Sequence, residues 1–418
     1  MKLRKRLPIS RACLFAAAAL LSVAPRARAA NVFFDADGAA TPAQLGAATV
    51  GATGTWSDAF WYNAGTATTA TGDGEVTTYT FTAADTAYFQ GNKGTLTAGA
   101  ADTITLNGIN DSTGMTLSGG SLLLSGAGAN ITVNGSVMTT ISSVITGADG
   151  LIKAGTGDLK LAAANTYTGV TLISGGKVIV DNATALGLST VNVATGGTLN
   201  LGGKTITNLV TVSGGELTGG DLDVGLLSAS TGIVSATLSG TAGLTKNTTG
   251  SLRLDGLNTF QGNVLVSQGT LIAGHVSALG GGAVTVSGGT LDLGTTTGLA
   301  NTVTLTGGTL DLNGGSQYFY GVFADQDYAT DNTIVTNSAA TTAHFLYNND
   351  NSARNWSGSI QGDVKFTRSG QNTTNFYVPQ TYTGSTVING GNVLLRDEAR
   401  LVSTPSIEIN YGGLYFDN

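Results

Sequence analysis

A long motif recurs three times in this chain, and it constrains the fold more than any other feature. Each copy joins a Gly-Leu-x-Lys-like start, a Gly-x-Leu-x-Leu-like segment and an Asn-Thr-Tyr-Thr-Gly-like segment. A Gly-Gly pair, reduced to the single Gly269 in the second copy, then precedes an apolar run. The copies span residues 150–180, 243–273 and 362–395, and the third is the most divergent. Their aromatic anchors, Tyr167, Phe260 and Tyr382, lie 93 and 122 residues apart. Each long unit must therefore contain several shorter ones.

A shorter period is also visible between the long motifs. The apolar pairs at 191–193 and 284–286 recur 19 residues later, and a Gly-Gly-Thr-Leu-like segment follows each pair. Spacing by two places both apolar residues on one face of a strand, and the Gly pair permits a sharp bend. The pattern predicts rungs of about 19–22 residues. In such rungs Leu291 and Leu310 face inward, while Asp292 and Asp311 face solvent.

Short strands at this period predict an all-β parallel β-helix, or β-solenoid, over residues 111–418. Rungs must stack, because one rung alone cannot bury its apolar face. The composition agrees, since 62 Gly and 64 Thr among 418 residues favour short strands between tight turns. A β-sandwich also uses short strands, but it does not predict identical Gly-Gly-Thr-Leu-Asp-Leu segments at one fixed offset. The sandwich therefore ranks second.

Two regions depart from the short period. Residues 30–110 include an aromatic cluster between Trp56 and Tyr62, and we interpret this region as an N-terminal cap over the first rung. Residues 316–361 hold eight aromatic side chains, and we interpret them as an irregular rung or insertion.

The first 29 residues have the organisation of a secretory signal peptide. Five basic residues precede an apolar run at 14–21, and Ala27 and Ala29 are the small residues that signal peptidase accepts. We expect cleavage after Ala29, which gives a mature chain that starts at Ala30. The apolar run is too short for a permanent transmembrane helix, and no later stretch reaches the required length.

Removal of residues 1–29 changes the charge of the chain. Seven of the 19 basic residues and no acidic residue lie there, which leaves 12 basic and 26 acidic residues, a net charge near −14. Such a chain repels phosphate backbones and anionic lipids, so nucleic acid is an unfavourable partner. The only cysteine, Cys13, is also removed, so disulfides cannot stabilise the mature chain.

The long motif resembles the autotransporter-associated β-strand repeat, also called the passenger-associated transport repeat. The resemblance is good over 150–180, fair over 243–273 and partial over 362–395. Aligned on the glycine that opens each copy, Lys365 corresponds to Lys153 and Lys246. The resemblance implies a right-handed parallel β-helix on or outside the bacterial cell surface. It implies no activity, because this repeat is a structural unit.

One feature departs from the pattern of that family. The resemblance implies that an outer-membrane barrel follows the passenger, and such barrels consist of alternating strands with aromatic girdles. These 418 residues end with a Gly-Gly-Leu-Tyr-Phe segment inside a repeat-like pattern, and no barrel pattern is present. Two interpretations stay open, a fragment or export by another route.

Histidines, cysteines and carboxylates offer little catalytic chemistry. A Ser-His-Asp triad needs a histidine, but His275 and His344 are the only two and neither lies in a nucleophile motif. We interpret both as ordinary surface or edge residues, and we expect no zinc site and no cofactor.

Carboxylate pairs are the main alternative sites. Asp292 and Asp311 should stack on adjacent rungs, where they would bind Ca²⁺ or act as an acid and nucleophile pair, although two solvated aspartates are the simpler interpretation. The segment at 35–38 begins like a calcium loop but lacks its final glutamate. Asp325 and Asp327, in the aromatic insertion, are the better place to look for a binding site.

The sequence is compatible with three functions. The first is a non-enzymatic surface or secreted stalk, adhesin or matrix element, with surface polysaccharide or other extracellular matrix as its partner. The second is a carbohydrate-active β-helix enzyme, a lyase or a hydrolase. The third is a carbohydrate-binding module that uses the aromatics of 316–361. The recurring Tyr167, Phe260 and Tyr382 are interpreted as plugs at a corner of the helix rather than as ligand-stacking residues.

Overall fold

The structure is a computed structural model of the chain. It describes residues 31–34, 53–55, 61–63, 75–76, 81, 84–89, 94–126, 129–294, 299–320, 323–324, 333–348 and 354–417. The predicted signal peptide with Ala27, Ala29 and Ala30, the calcium-loop-like segment at 35–38, and the pair Asp325 and Asp327 lie outside the described residues.

Parallel strands stack turn upon turn in ladders, and the predicted all-β parallel β-helix is confirmed, with about 15 turns. The first ladder consists of the strands that open successive turns. Apolar residues alternate along these strands and face the core, as in Val191–Ala194, where the two valines are buried. Its strands are Thr86–Phe89, Gly108–Asp111, Ala129–Val133, Leu151–Ala154, Thr171–Ile173, Val191–Ala194, Val210–Thr218, Leu227–Val234, Leu244–Leu254, Val264–Ala273, Val284–Val286, Val303–Leu305 and Phe323–Ala324.

The second ladder follows the first after a Gly-rich corner. Its strands are Thr95–Thr97, Thr116–Ser118, Met138–Ile141, Asp158–Leu161, Gly176–Val180, Gly197–Asn200, Thr290–Asp292, Thr309–Asp311, Ile334–Thr336 and Ser359–Ile360. The four long strands of the first ladder between Val210 and Ala273 bend through the corner and continue into the second ladder.

A third group of strands completes some of the turns. It comprises Thr103–Leu106, Ser121–Leu124 and Val144–Thr146, and separately Asp221–Asp223 and Thr237–Ser239. A single turn of 3-10 helix, Val224–Leu226, is the only helical element among the described residues.

The C-terminal part forms two further parallel sheets. One contains Ser316–Tyr320, Ala343–Asn348, Val364–Ser369, Thr386–Ile388 and Ile407–Ile409, and the other contains Arg354–Trp356, Thr373–Phe376, Gly391–Arg396 and Gly412–Asp417. The described strands of the predicted insertion at 316–361 therefore stack in parallel with the turns that follow. The step from Ser316 to its partner His344 spans 28 residues, against 20 from Ile152 to Leu172.

Parallel stacking also extends to the N-terminal side of residue 111, where the sequence placed the start of the helix. Thr86–Phe89 pairs in parallel with Gly108–Asp111 and with Asn31–Phe34, and Thr53–Thr55 pairs in parallel with Thr95–Thr97. Trp61–Asn63 is antiparallel to Asn31–Phe34 and to Glu75–Val76. The region 30–110 thus supplies both antiparallel strands and strands of the stack.

The core is one continuous cluster of apolar side chains inside the turns. Leu291 and Leu310 are paired across adjacent turns and fully buried, as the sequence predicts. Equivalent residues line up because each strand is in register with the strand of the next turn, about 4.8 Å away. Residues at equivalent positions of the three long motifs therefore have equivalent neighbours in the turns before and after.

Candidate functional site

A buried cation lies at the same register position in each of the three long repeats. Lys153 is paired with Ile173 of the next turn, and Lys246 is paired with Val266. In the third repeat the residue at this position is Arg368, which is paired with Ile388. All three are fully buried side chains.

The alignment of Lys365 with Lys153 and Lys246 is therefore wrong. Lys365 lies three residues earlier, on the outer side of the strand, and it is only half-buried. The signal that identifies Arg368 is the distance to the next motif. Each of Lys153, Lys246 and Arg368 precedes the aromatic anchor of its own repeat by 14 residues.

The Lys153 ammonium is held by the backbone of two successive turns. It donates hydrogen bonds to three carbonyl oxygens, those of Ala154 at 2.7 Å, Gly155 at 3.0 Å and Gly175 at 3.0 Å. An ammonium group has three donors, so its hydrogen-bonding capacity is fully used. Burial lowers the pKa of Lys153 to about 8, against a weaker opposing effect of the Asp158 carboxylate.

The other two cations make the same kind of contact. Lys246 donates to the carbonyl of Thr248, to the Thr248 hydroxyl at 3.2 Å and to the carbonyl of Gln268 at 3.4 Å. Burial also lowers the pKa of Lys246. Arg368 donates to the Thr374 hydroxyl at 2.8 Å and to the carbonyl of Asn372. Each cation therefore forms hydrogen bonds with the corner that follows it in its own turn.

A glycine with a left-handed backbone gives each cation room. The φ angles of Gly176, Gly269 and Gly391 are +60°, +67° and +66°. A Cβ atom at Gly176 would lie 2.9 Å from the Lys153 ammonium nitrogen, and at Gly269 it would lie 2.7 Å from that of Lys246. The glycine at this one position is thus required by backbone conformation and by the space that the cation occupies.

A buried amide side chain forms the second part of the repeat. Asn165 accepts a hydrogen bond from the backbone N–H of Ile145 at 2.8 Å and donates to the carbonyl of Ala185 at 2.6 Å. Asn258 makes the equivalent bonds in the second repeat. Gln380, which replaces asparagine in the third, accepts from the N–H of Ile360 at 2.8 Å. In the first two repeats one side chain thereby satisfies backbone groups in the turns before and after its own, whereas Gln380 donates to the carbonyls of Gly358 and Val378.

The aromatic anchors are the third part. Tyr167, Phe260 and Tyr382 are fully buried. The Tyr167 hydroxyl lies 2.9 Å from the Thr171 hydroxyl, and the Tyr382 hydroxyl lies 2.6 Å from that of Thr386. In the second repeat the corresponding residues are Phe260 and Val264. The hydroxyl is thus absent from both partners of that pair, so no polar atom of the pair is left in the core.

The predicted carboxylate pair is only partly exposed. Asp292 and Asp311 are paired across adjacent turns, but Asp311 is buried, contrary to the expectation that both face solvent. Its carboxylate accepts hydrogen bonds from the N–H groups of Asn313 and Ser338, both at 3.0 Å. The segment that follows Thr336 covers it. Asp292 accepts from the N–H of Gly294 and from the Asn313 amide.

The two histidines serve local structure. The Nδ1 of His275 accepts a hydrogen bond from the N–H of Ser277 at 3.1 Å. The Nε2 of His344 lies 2.8 Å from the Thr367 hydroxyl, and Lys365 is its neighbour on the next strand. Burial, with a further contribution from the Lys365 charge, lowers the pKa of His344.

Aromatic residues of the insertion pack into the core. Phe345, Tyr347 and Trp356 are buried and their rings contact one another, with centroids about 6 Å apart. Tyr318, by contrast, is exposed. A flat aromatic platform for sugar binding would need several exposed rings, and these three are not available for it.

The described part of the chain contains no group of three or more His, Cys, Asp or Glu side chains placed to hold a metal ion. Likewise, no helix in the described ranges has the length and apolar character needed to span a bilayer.

Comparison with known proteins identifies the long repeat. The family model of the passenger-associated transport repeat matches residues 151–180, 244–273 and 369–395. No curated protein and no solved structure matches the chain. The three matched segments contain the glycines, amides and aromatic anchors described above, and the buried cations lie inside or next to them. The chain therefore carries three passenger-associated transport repeats, as the sequence motif predicts.

Proposed function

We propose that this protein is a non-enzymatic passenger that forms a stalk, adhesive or matrix element at the bacterial cell surface. The observation that supports this most is the use of the recurring polar residues. Lys153, Asn165 and Tyr167 direct their polar atoms to the backbone or to neighbouring side chains within the stack. The most regular polar features of the chain thus stabilise turns and are not presented to a ligand.

Export supports the same proposal. The basic start, the apolar run and the small residues Ala27 and Ala29 have the organisation of a cleavable signal peptide. The matched repeat is associated, by the description of its family, with passengers and their transport. A stack of turns is also suited to a stalk, because its length grows with each added turn while its core stays continuous.

Protease treatment of intact cells tests the location. Proteinase K added outside should remove the protein from whole cells, while a periplasmic protein of the same cells should survive as the control. N-terminal sequencing of the exported protein should begin at Ala30. Protein that resists the protease in intact cells, or that retains residues 1–29, contradicts the proposal.

An activity assay separates this proposal from a carbohydrate-active enzyme. Purified protein should release no products from a panel of neutral and uronic-acid polysaccharides, with or without Ca²⁺. Asp325→Ala/Asp327→Ala is the matched variant, because these two carboxylates were the best candidates in the sequence. Turnover that disappears in this double variant would replace the structural proposal with the enzymatic one.

A further inference from the structure

The two ladders differ sharply in the charge of their outward side chains. The second ladder contains an unbroken column of eleven paired positions, six of which are charged. In order these are Met138, Asp158, Lys177, Thr198, Glu216, Ile233, Arg253, Ile272, Asp292, Asp311 and Thr336. Opposite charges are neighbours at Asp158 and Lys177, whose charged atoms lie 3.9 Å apart.

The corresponding column of the first ladder carries no charge. Its positions pair in two runs, and between Thr86 and Thr304 they contain twelve residues without one Asp, Glu, Lys or Arg. They are Thr86, Gly108, Asn130, Ile152, Leu172, Asn192, Thr211, Ser228, Thr245, Leu265, Thr285 and Thr304. The outward positions beside them that pair across turns, such as Asn110 with Thr132, are uncharged too. We call this surface the uncharged face.

Large apolar side chains are exposed on and beside the uncharged face. Leu265 is 37% exposed although both of its neighbours in the column are threonines. Val170 and Leu209, which immediately precede strands of the same ladder, are 54% and 45% exposed. Ile152 and Leu172 are half-buried neighbours in the column. Isolated apolar residues are common on surfaces, but these share a face that lacks charge.

We propose that the uncharged face binds a second copy of this chain, side by side. The mature chain has a net charge near −14, so two copies repel each other over most orientations. They can approach most closely where neither surface carries charge. Threonine, serine and asparagine side chains can also hydrogen-bond across such a contact, and the exposed leucines and valine lose contact with water.

The size of the face agrees with a weak dimer. Eleven steps of about 4.8 Å and strands of about four residues give roughly 50 Å by 13 Å, or about 650 Å² per copy. Two such surfaces bury about 1,300 Å², close to the lower limit of about 1,200 Å² for specific interfaces. A neutral polysaccharide is less well suited, because the twelve positions of the column contain no aromatic side chain on which a sugar ring could stack. This inference goes beyond the proposed function, because a stalk or adhesin need not bind itself.

Sedimentation velocity of the exported protein tests the proposal, with two matched variants. Leu265→Glu adds a charge to the uncharged face, and Ile233→Glu adds the same charge to the charged column at nearly equal exposure, 40% against 37%. Over about 1–100 µM the wild type should show a concentration-dependent dimer. Leu265→Glu should raise the dissociation constant at least about tenfold, since two copies then place like charges together. Ile233→Glu should change it less than about threefold. Far-UV circular dichroism should show that both variants fold.

Salt provides a second measurement on the same samples. Higher ionic strength screens repulsion between the acidic copies, so association through the uncharged face should strengthen. Association that weakens with salt, or that is lost in Ile233→Glu and kept in Leu265→Glu, would assign the contact to the charged column and overturn the proposal. A wild type that stays monomeric over the whole concentration range would also overturn it.

Discussion

Each long repeat places a cation inside the stack and binds it by backbone carbonyls. Lys153 occupies a core column between Ile131 and Ile173, where an unpaired charge would be strongly unfavourable. Its methylene stem replaces the branched side chain of its neighbours, and its ammonium reaches the corner carbonyls of Gly155 and Gly175. The cation is tolerated because every one of its donors has an acceptor.

Removal of the cation should destabilise the stack and change its pH dependence. Lys153→Met keeps the apolar stem but leaves three carbonyls without their donor, and should cost roughly 1–3 kcal/mol at pH 7. The pKa of Lys153 falls from 10.5 to about 8 in the folded chain. Between these pH values the unfolded chain binds the proton and the folded chain does not, so the contribution of Lys153 to stability rises with pH. Urea unfolding of wild type and variant at pH 7 and pH 10 measures both effects.

A difference between the two proteins that stays constant over this pH range would contradict the burial of the ammonium group. Titration of other groups cancels in the comparison, because both proteins contain them. Lys177→Met is the control for loss of a lysine from the outer surface, because the Lys177 side chain is about 39% exposed.

Comparison with the second repeat, which has Phe260 and Val264, indicates how substitutions of Tyr167 and Thr171 should affect stability. Tyr167→Phe removes one of the two hydroxyl partners of Thr171, which keeps the Ser189 hydroxyl at 2.9 Å. Thr171→Val removes a partner of the tyrosine hydroxyl, and each change should cost about 1 kcal/mol. The double variant has the same residues as Phe260 and Val264, so it should cost clearly less than the sum of the single changes. Thermal or urea unfolding of all four proteins measures the coupling. Strictly additive costs would show that the two hydroxyls do not depend on each other.

The sequence indicates which residues recur, but the literal motif assigns the cation of the third repeat to the wrong position. Lys365 continued the literal motif, whereas Arg368 continued its spacing to Tyr382. A cation at a core position is recognised only when its acceptors are known, and the carbonyl acceptors of Arg368 and Lys153 come from corners that side-chain patterns do not reveal. Spacing to the aromatic anchor was the information that the sequence did contain.

At the scale of the strand, alternation determines which residues are buried. Leu310 and Asp311 are adjacent in one strand, and Leu310 faces the core as predicted. Asp311 faces outward but is covered, because Ser338, 27 residues later, donates a hydrogen bond to it. Local alternation gave the direction of both side chains, whereas the burial of Asp311 depends on a segment from the following turn.

Substitutions in this strand should therefore have three different effects. Leu310→Asp places an unpaired charge in the core and should cost more than about 4 kcal/mol. Asp311→Asn weakens two charge-assisted hydrogen bonds and should cost about 1 kcal/mol. Asp292→Asn, in the neighbouring turn, should stay within about 0.5 kcal/mol because that side chain is more exposed. Urea unfolding gives the order, and equal costs for Leu310→Asp and Asp311→Asn would contradict the assigned faces.

Substitution of two corner glycines tests whether the space beside the buried cation requires a glycine. Gly176→Ala requires a left-handed alanine and also brings its Cβ within 2.9 Å of the Lys153 ammonium nitrogen. Gly203 has a similar φ of +73°, but a Cβ there meets nothing within 4 Å. We expect Gly203→Ala to cost about 1 kcal/mol and Gly176→Ala at least about 1 kcal/mol more. Equal melting temperatures for the two variants would show that the cation does not need the space.

At the scale of the whole molecule, regular stacking has a direct metric consequence. Residues of one outward column lie at multiples of the distance between turns, whatever their separation in sequence. From Asn192 to Thr285 there are five steps in the uncharged face, and from Asn130 to Thr285 there are eight. This arrangement is predictable from the sequence, because its period repeats in nearly every turn. The longer step from Ser316 to His344 is not predictable, because no repeat defines its length.

Electron–electron distance measurement between spin labels tests the stack most directly. The mature chain has no cysteine, because Cys13 lies in the predicted signal peptide, so two labelled cysteines can be introduced without further changes. In dilute samples the pair Asn192→Cys and Thr285→Cys should give about 24 Å, and the pair Asn130→Cys and Thr285→Cys about 38 Å, apart from the length of the labels. We expect two narrow distributions whose means differ by about 14 Å, or three turns. Distances that do not increase with the number of turns would contradict a parallel β-helix.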